Sequence, residues 1–133
     1  MFWAWDITVL AGTAENNPKT QILKLSKGTI TRIDIRFPSG CYRLVKIRLL
    51  RSEFQLIPLS GGEWVTGDGE IIPTEPYYEL EDSPTELKFV GCSPQTRYNH
   101  TITVRISIIP PEVATPWQTM RDFVTIVKKL IGI

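Results

Sequence analysis

The 133-residue sequence is poor in the residue types that most often carry covalent structure, metals or chemistry. It has only two cysteines and one histidine, too few for a four-ligand zinc site unless carboxylates complete the set. Its apolar runs fall short of the ~18 residues of a membrane-spanning helix, so no membrane span is expected. The opening residues, Met1-Phe2-Trp3-Ala4-Trp5-Asp6, have no basic region and no small-residue cleavage site, so no secretory signal is expected.

The sequence also lacks an excess of charge of either sign. Fifteen Lys and Arg against fourteen Asp and Glu leave a net charge of +1, without the basic surplus of nucleic-acid-binding domains. No specific nucleic-acid partner is therefore expected. A local basic face would still arise if two strands carrying Arg32 and Arg36, and Lys46 and Arg48, were neighbours. The more ordinary interpretation is a solvated sheet face with ion pairs.

The most abundant residue types favour β structure. The chain has 14 Thr and 16 Ile but only four Ala. Apolar side chains alternate with polar ones over several short segments separated by Gly, Pro and Asn, a pattern typical of strands with one buried face. The predicted strands cover residues 5–10, 21–25, 29–37, 43–51, 53–58, 71–84, 86–90 and 100–109. In residues 29–37 the pattern places Thr31, Ile33, Ile35 and Phe37 on the inward face.

Short strands without crossover helices predict an all-β fold, an antiparallel β-sandwich. A jelly-roll-like arrangement is the first choice, and a fibronectin-like or immunoglobulin-like sandwich is the alternative. The length suits one such domain over residues 1–111. The residues predicted to be buried between its sheets are Ile33, Ile35, Val45, Ile47, Leu49, Leu87, Phe89, Ile102, Val104 and Ile106.

The chain changes character in residues 112–133, which predict a C-terminal amphipathic α-helix over 115–131. Thr115-Pro116-Trp117-Gln118 is a typical helix start. An apolar stripe at helical spacing follows, formed by Trp117, Met120, Val124, Val127 and Ile131. A helix this short is marginal in water, so the stripe must be buried on its own sandwich, on a neighbouring subunit or on a membrane surface. We favour the subunit interface, with the apolar N-terminal residues Trp3 and Trp5 as further contacts.

No constellation of residues predicts catalysis. His100 stands alone at the mouth of a strand, where a structural role is the ordinary interpretation. Cys41 and Cys92 lie in neither a helix N-terminus nor a nucleophile elbow, and small buried thiols are the expected state, although pairing stays possible. The carboxylates of residues 68–82 do not match a calcium-binding loop. We therefore expect a protein that is not an enzyme and has no cofactor and no metal.

One set of aromatic residues suggests a different function. Trp64 lies in a glycine-rich stretch, and Tyr77 and Tyr78 lie in the proline-rich segment that follows it. Exposed aromatic rings are frequent in ligand sites. The alternative to a structural protein is therefore a carbohydrate- or receptor-binding sandwich that uses these three side chains.

Two stretches resemble small β-sandwich virion structural proteins of phages, of the capsid decoration or minor capsid type. The first is Phe37-Pro38-Ser39-Gly40-Cys41 with Leu44-Val45-Lys46-Ile47-Arg48. The second is His100-Thr101-Ile102-Thr103-Val104-Arg105 with Ile109-Pro110-Pro111-Glu112-Val113 and Pro116-Trp117. The resemblance covers most of residues 20–117 and implies a decoration, penton or minor capsid protein. The expected partners are further copies of the chain and other virion proteins, and the expected location is the virion, after synthesis in the host cytoplasm.

Overall fold

The computed structural model describes residues 1–59, 61–110, 127–130 and 132 of the chain. Residues 127–130 are helical. No helix in this described part is long and apolar enough to cross a membrane. Ten strands make up the rest of the regular structure: β1 (Phe2–Val9), β2 (Lys19–Lys24), β3 (Gly28–Phe37), β4 (Lys46–Arg51), β5 (Phe54–Ile57), β6 (Val65–Thr66), β7 (Glu70–Thr74), β8 (Tyr78–Leu80), β9 (Glu86–Cys92) and β10 (His100–Ile109).

The strands form two antiparallel sheets of five strands each. The first sheet has the order β1-β10-β3-β7, with β8 also paired to β3; the second has the order β2-β9-β4-β5, with β6 also paired to β4. The pairing is nested: β1 pairs with β10, β2 with β9, β3 with both β7 and β8, and β4 with both β5 and β6. An antiparallel ribbon rolled up in this way is a jelly roll. The structure thereby confirms the predicted all-β sandwich.

The core lies between the two sheets and is filled by alternate residues of the long strands. All ten residues predicted to be buried have an exposed fraction of 0%. Strand β10 shows the pattern most clearly, since Ile102, Val104, Ile106 and Ile108 are buried while the residues between them are not. The hydrophobic effect therefore sets the orientation of each strand, as the alternation in the sequence predicts.

Strand β3 departs from the predicted alternation at Thr31. The register between β10 and β3 shifts between Ser107 and Ile108, so that Thr31 becomes the extra residue of a β-bulge. Ile30 takes the buried position, while Thr31 is half-buried and its hydroxyl donates to the backbone oxygen of Ser107 at 3.3 Å. The prediction that Thr31 faces inward with Ile33 is therefore wrong.

The predicted starts of β1 and β4 differ most from the structure. Strand β1 begins at Phe2 instead of residue 5, because its first residues pair along β10 as far as Ser107. Strand β4 begins at Lys46 instead of residue 43. Tyr42 and Arg43 have φ angles of 49° and 59°, in the left-handed region, so they cannot continue a strand.

Candidate functional site

An apolar groove opens along one side of the sandwich, between the edge strands β5 and β7. Its volume is about 590 Å³. It is lined by Phe54, Leu56, Ile57, Pro58, Leu59, Val65, Ile72, Thr74, Glu75, Pro76 and Tyr78. Glu75 is the only charged residue in this set. A concave surface of this size and composition is typical of ligand and partner sites.

The groove exists because both sheets end here in short, interrupted strands. Strand β3 pairs with β7 at one end and with β8 at the other, so the segment 75–77 between them leaves the sheet. On the opposite sheet, β4 pairs likewise with β5 and β6. The connection between those two strands is held by the Gln55 amide, whose Nε2 donates to the backbone oxygens of Pro58 at 2.8 Å and Glu63 at 3.0 Å.

An aromatic pair crosses the groove and joins the two sheets. The rings of Phe54 on β5 and Tyr78 on β8 stack with their centroids 6.3 Å apart and their planes 14° from parallel. Stacked pairs of this kind contribute about 0.5–1.5 kcal/mol beyond the area they bury. Phe54 nevertheless stays 53% exposed, so the stack leaves apolar surface for a partner.

The structure does not gather the predicted ligand-binding aromatics into one surface. Of Trp64, Tyr77 and Tyr78, only Tyr78 is among the described residues that line the groove. Tyr77 is 64% exposed on the segment between β7 and β8, with a φ angle of 47°. The Arg48 guanidinium lies over the Trp64 ring, 4.1 Å from its centroid. A cation–π contact thus occupies one face of Trp64, which is half-buried.

The proposed N-terminal contacts point toward the core. Trp3 and Trp5 are partly buried and pack against the core of the sandwich, as alternate residues of β1. Phe2, on the opposite face of the strand, is 63% exposed. The strand is held at its start by the Met1 amino group, which donates to the backbone oxygen of Ile108 at 2.7 Å.

Of the tail, the structure describes residues 127–130 and Gly132. The predicted interface residues Trp117, Met120, Val124 and Ile131 lie outside the described residues. Val127 is described and is 37% exposed, and Leu130, three residues on, is 81% exposed. The described end of the tail therefore presents apolar side chains to solvent between Lys128 and Lys129, which are also exposed.

Neither cysteine has the environment of a nucleophile. Both are free and fully buried. Burial raises the pKa of the Cys41 thiol, and the nearby Asp68 carboxylate raises it further. Burial likewise raises the pKa of Cys92, only partly offset by Lys46 and Arg48. A raised pKa keeps a thiol protonated and unreactive.

The metal-ligand residue types and the basic strand residues are two further groups of side chains. In residues 1–59, 61–110, 127–130 and 132, no three His, Cys, Asp or Glu side chains are placed to hold a metal ion. Strands β3 and β4 belong to different sheets, so Arg32 and Arg36 lie on one outer face and Lys46 and Arg48 on the other. The single basic face that adjacent strands would have formed does not exist.

A second concavity, missed by the sequence analysis, lies at one end of the sandwich. This loop-end cleft has a volume of about 560 Å³ and is lined by Pro38, Ser39, Gly40, Tyr42, Tyr98, Asn99, His100 and Thr101. Tyr42 and Tyr98 are each 75% exposed. Each tyrosine lies in a turn between strands, and only the folded chain shows that the two turns meet.

Comparison with known proteins adds little to this description. No family model matches the chain, and no curated protein matches it. Among solved structures, the crystal structure of FLHE is 18% identical, with a TM-score of 0.37, and the match covers 79% of this chain and 95% of that one. At this TM-score the likeness carries no argument about fold or function.

Proposed function

We propose that this protein is a non-enzymatic structural subunit of a virus particle or a similar assembly, and that it acts by binding further copies of itself. The jelly roll is a recurrent fold of viral capsid domains, and the resemblance to phage virion proteins points the same way. Because one fold serves many functions, the fold supports this proposal only by analogy. The observation that carries it is the open apolar groove between β5 and β7.

The apolar lining of the groove favours binding of an apolar partner. Each Å² of apolar surface removed from water contributes about 25 cal/mol, so a surface that includes exposed Phe54 and Leu59 gains from being covered. Contiguous apolar patches on a monomer usually mark contact sites.

The occupant we propose is the last turn of the C-terminal helix, residues 127–130, from a second copy. In a single chain this turn leaves Val127 and Leu130 exposed, so it is available to another molecule. An apolar helix face laid into an apolar groove is a recurrent mode of recognition. The charges also match, because Lys128 and Lys129 carry positive charge to a groove in which Glu75 is the only charged residue among the described lining residues.

The exit of the chain is close to the groove. At the end of β10, Ile108 pairs with Ile30 of β3, and Ile30 pairs on its other side with Tyr78, which lines the groove. Two strand spacings of about 4.8 Å separate Ile108 from Tyr78. Two copies can therefore exchange tails reciprocally across a twofold axis, or pass them head to tail around a ring.

The test is the mass of the full-length protein in solution, measured by light scattering over a range of concentrations. The wild type is expected to be oligomeric. Leu130→Asp and Leu59→Asp are expected to be monomeric, because each places a charge in the contact while altering a side chain that is exposed in the monomer. Leu10→Asp is the matched control, since Leu10 is 59% exposed but lies outside the groove. Circular dichroism checks that all variants are folded.

A charge exchange tests the same contact from both sides. Glu75→Lys is expected to weaken assembly, and adding Lys128→Glu and Lys129→Glu is expected to restore it. A monomeric wild type, an oligomer unaffected by Leu130→Asp, or equal dissociation by Leu10→Asp would each overturn the proposed contact. Mass spectrometry of particles purified from cells that make the protein tests the virion assignment separately, because a genuine subunit copurifies with them.

A carbohydrate- or receptor-binding module is the second candidate. The sequence favours Trp64, Tyr77 and Tyr78 for this module, and a glycan array compared between the wild type and Trp64→Ala tests that set directly. The observation that favours a binding module is the loop-end cleft with its two exposed tyrosines. Catalysis forms no part of either proposal: His100→Ala is expected to leave assembly unchanged, and a chemical turnover lost in that variant would contradict both.

A further inference from the structure

We propose that the loop-end cleft is a binding site for a neutral saccharide, with Tyr42 and Tyr98 as its stacking platforms. The proposal does not depend on assembly through the apolar groove, because none of the groove residues lines this cleft. It rests on the second candidate function, the carbohydrate-binding module, and assigns the ligand to Tyr42 and Tyr98 in place of Trp64, Tyr77 and Tyr78.

The exposure of the two tyrosines is the first observation. Both rings are 75% exposed in the same cleft, at the end of the sandwich where the β3–β4 and β9–β10 connections meet. Tyrosine provides a large, rigid and amphipathic contact surface with little conformational freedom to lose. Two such rings beside one cleft provide apolar faces and phenol hydroxyls together.

The loop that carries Tyr42 is held in place from both sides of that residue. Cys41 is fully buried and anchors the loop in the core, so its neighbour is directed outward. The Gly40 backbone N–H donates to the Asp68 carboxylate at 2.9 Å, and the Leu44 N–H donates to the Cys41 oxygen at 2.8 Å. Tyr42 has a φ angle of 49°, a left-handed conformation that costs a side chain of this size free energy and that the surrounding structure must hold in place.

The opposite wall is held as firmly. The side-chain oxygen of Asn99 accepts a hydrogen bond from the Ala11 N–H at 2.8 Å, which fixes the orientation of its amide group. The turn before it is closed by Thr96, whose hydroxyl donates to the Ser93 oxygen at 3.0 Å. A ligand that enters the cleft therefore meets preformed walls and loses little free energy in ordering them.

The lining chemistry selects the class of ligand. The cleft has no charged side chain among its described lining residues, and its polar groups are hydroxyls, an amide and an imidazole. These groups both donate and accept hydrogen bonds, which suits the hydroxyls of a sugar. A pyranose ring also has a face of C–H groups that packs on an aromatic ring. The cationic side chains that an anionic ligand requires, Arg36 and Arg105, line the neighbouring cleft instead.

The experiment is a glycan array carrying neutral and acidic saccharides, followed by titration of the best neutral ligand against the full-length protein. Tyr98→Ala and Tyr42→Asn are the test variants. Asn replaces Tyr42 because it tolerates the left-handed conformation better than alanine. Phe2→Ala is the matched control, since Phe2 is an aromatic residue that is 63% exposed but lies outside the cleft. Tyr98→Phe keeps the ring while removing the hydroxyl.

The expected result is a neutral saccharide bound by the wild type, with affinity at least about tenfold lower in both test variants, as for the loss of a central aromatic contact. Phe2→Ala is expected to bind as the wild type does, and Tyr98→Phe to stay within about threefold of it, since only one hydrogen bond is lost. Binding to no neutral glycan, binding to acidic glycans alone, or an equal loss in Phe2→Ala would overturn the proposal. Circular dichroism separates loss of the ligand from loss of the fold.

Discussion

Gly28 provides the sharpest test of the packing described above. It begins β3, beside the end of β10, and its φ angle is +152°. A Cβ atom placed there would lie 2.5 Å from the backbone oxygen of Ile109 and 2.6 Å from the Cγ2 atom of Ile108. The nearer atom belongs to the backbone of a paired strand, so it cannot swing aside as the end of a flexible side chain would. Gly28→Ala must therefore strain the backbone and push two paired strands apart.

The magnitude follows from two separate terms. A non-glycine residue held in a conformation of this kind costs about 1–3 kcal/mol. Forcing extra atoms into a packed site costs about 1–3 kcal/mol more. The free energy of unfolding is thus expected to fall by about 2–6 kcal/mol, a large part of the ~5–15 kcal/mol typical of a domain.

Two other glycines separate those terms in urea titrations followed by tryptophan fluorescence. Gly12 has a φ angle of +72° but no heavy atom within 4 Å of its added Cβ, so Gly12→Ala carries the conformational term alone, about 1–2 kcal/mol. Gly61 also has open space around it, so Gly61→Ala is expected to change stability by less than about 0.5 kcal/mol. If Gly28→Ala loses no more stability than Gly12→Ala, the close approach of β3 to the end of β10 is wrong.

Three further predictions concern the core, the thiols and the outer face of the second sheet. Ile106→Ala, at a fully buried position, is expected to lower the free energy of unfolding by about 2–4 kcal/mol. Ile22 is 46% exposed, so Ile22→Ala is expected to lower it by less than about 1 kcal/mol. Equal losses in the two variants would contradict the assignment of strand faces. Because burial raises the pKa of Cys41 and Cys92 above 9.0, the unfolded chain releases these protons first. Stability is therefore expected to be full below pH 9.0 and to fall as pH rises through the folded pKa values, and a double alanine variant should show a smaller fall in urea titrations. Trp64→Ala is expected to lose about 0.5–2 kcal/mol with its cation–π contact, and an unchanged urea midpoint would show that the contact contributes nothing.

The strands could be predicted from the sequence because the alternation of buried and exposed side chains is visible within each strand alone. Along β10, strict alternation identifies the buried side chains without any knowledge of the partner strand, because neighbouring side chains of a strand point to opposite faces. Thr31 shows the limit of this argument. Its bulge arises from the register between β3 and β10, residues 76 positions apart in the chain, and no local pattern encodes it.

The candidate sites were less predictable than the strands. Tyr77 and Tyr78 are adjacent in the sequence, yet only the second lines the groove, because the chain leaves the sheet between β7 and β8. As single turn residues, Tyr42 and Tyr98 belong to no sequence pattern that predicts a site. A signal was present in their flanks, since an aromatic residue beside Gly40 and Cys41, or beside Asn99, in a turn is exposed unless another element covers it. That the two turns line one cleft cannot be predicted from the sequence.

By itself, the sequence determined the class of the fold, the inward face of most strands and the amphipathic pattern of the tail. These properties depend on residues within a few positions of one another, where periodicity reports burial directly. Only the tertiary structure decided the nested strand order, the separation of β3 and β4 into different sheets, and the formation of the apolar groove and the loop-end cleft. Those features arise where distant segments meet, as when the Met1 amino group bonds to the Ile108 oxygen. Strands with similar apolar faces can pair in many orders, so the choice among them rests on the packing and hydrogen bonding of the whole sandwich.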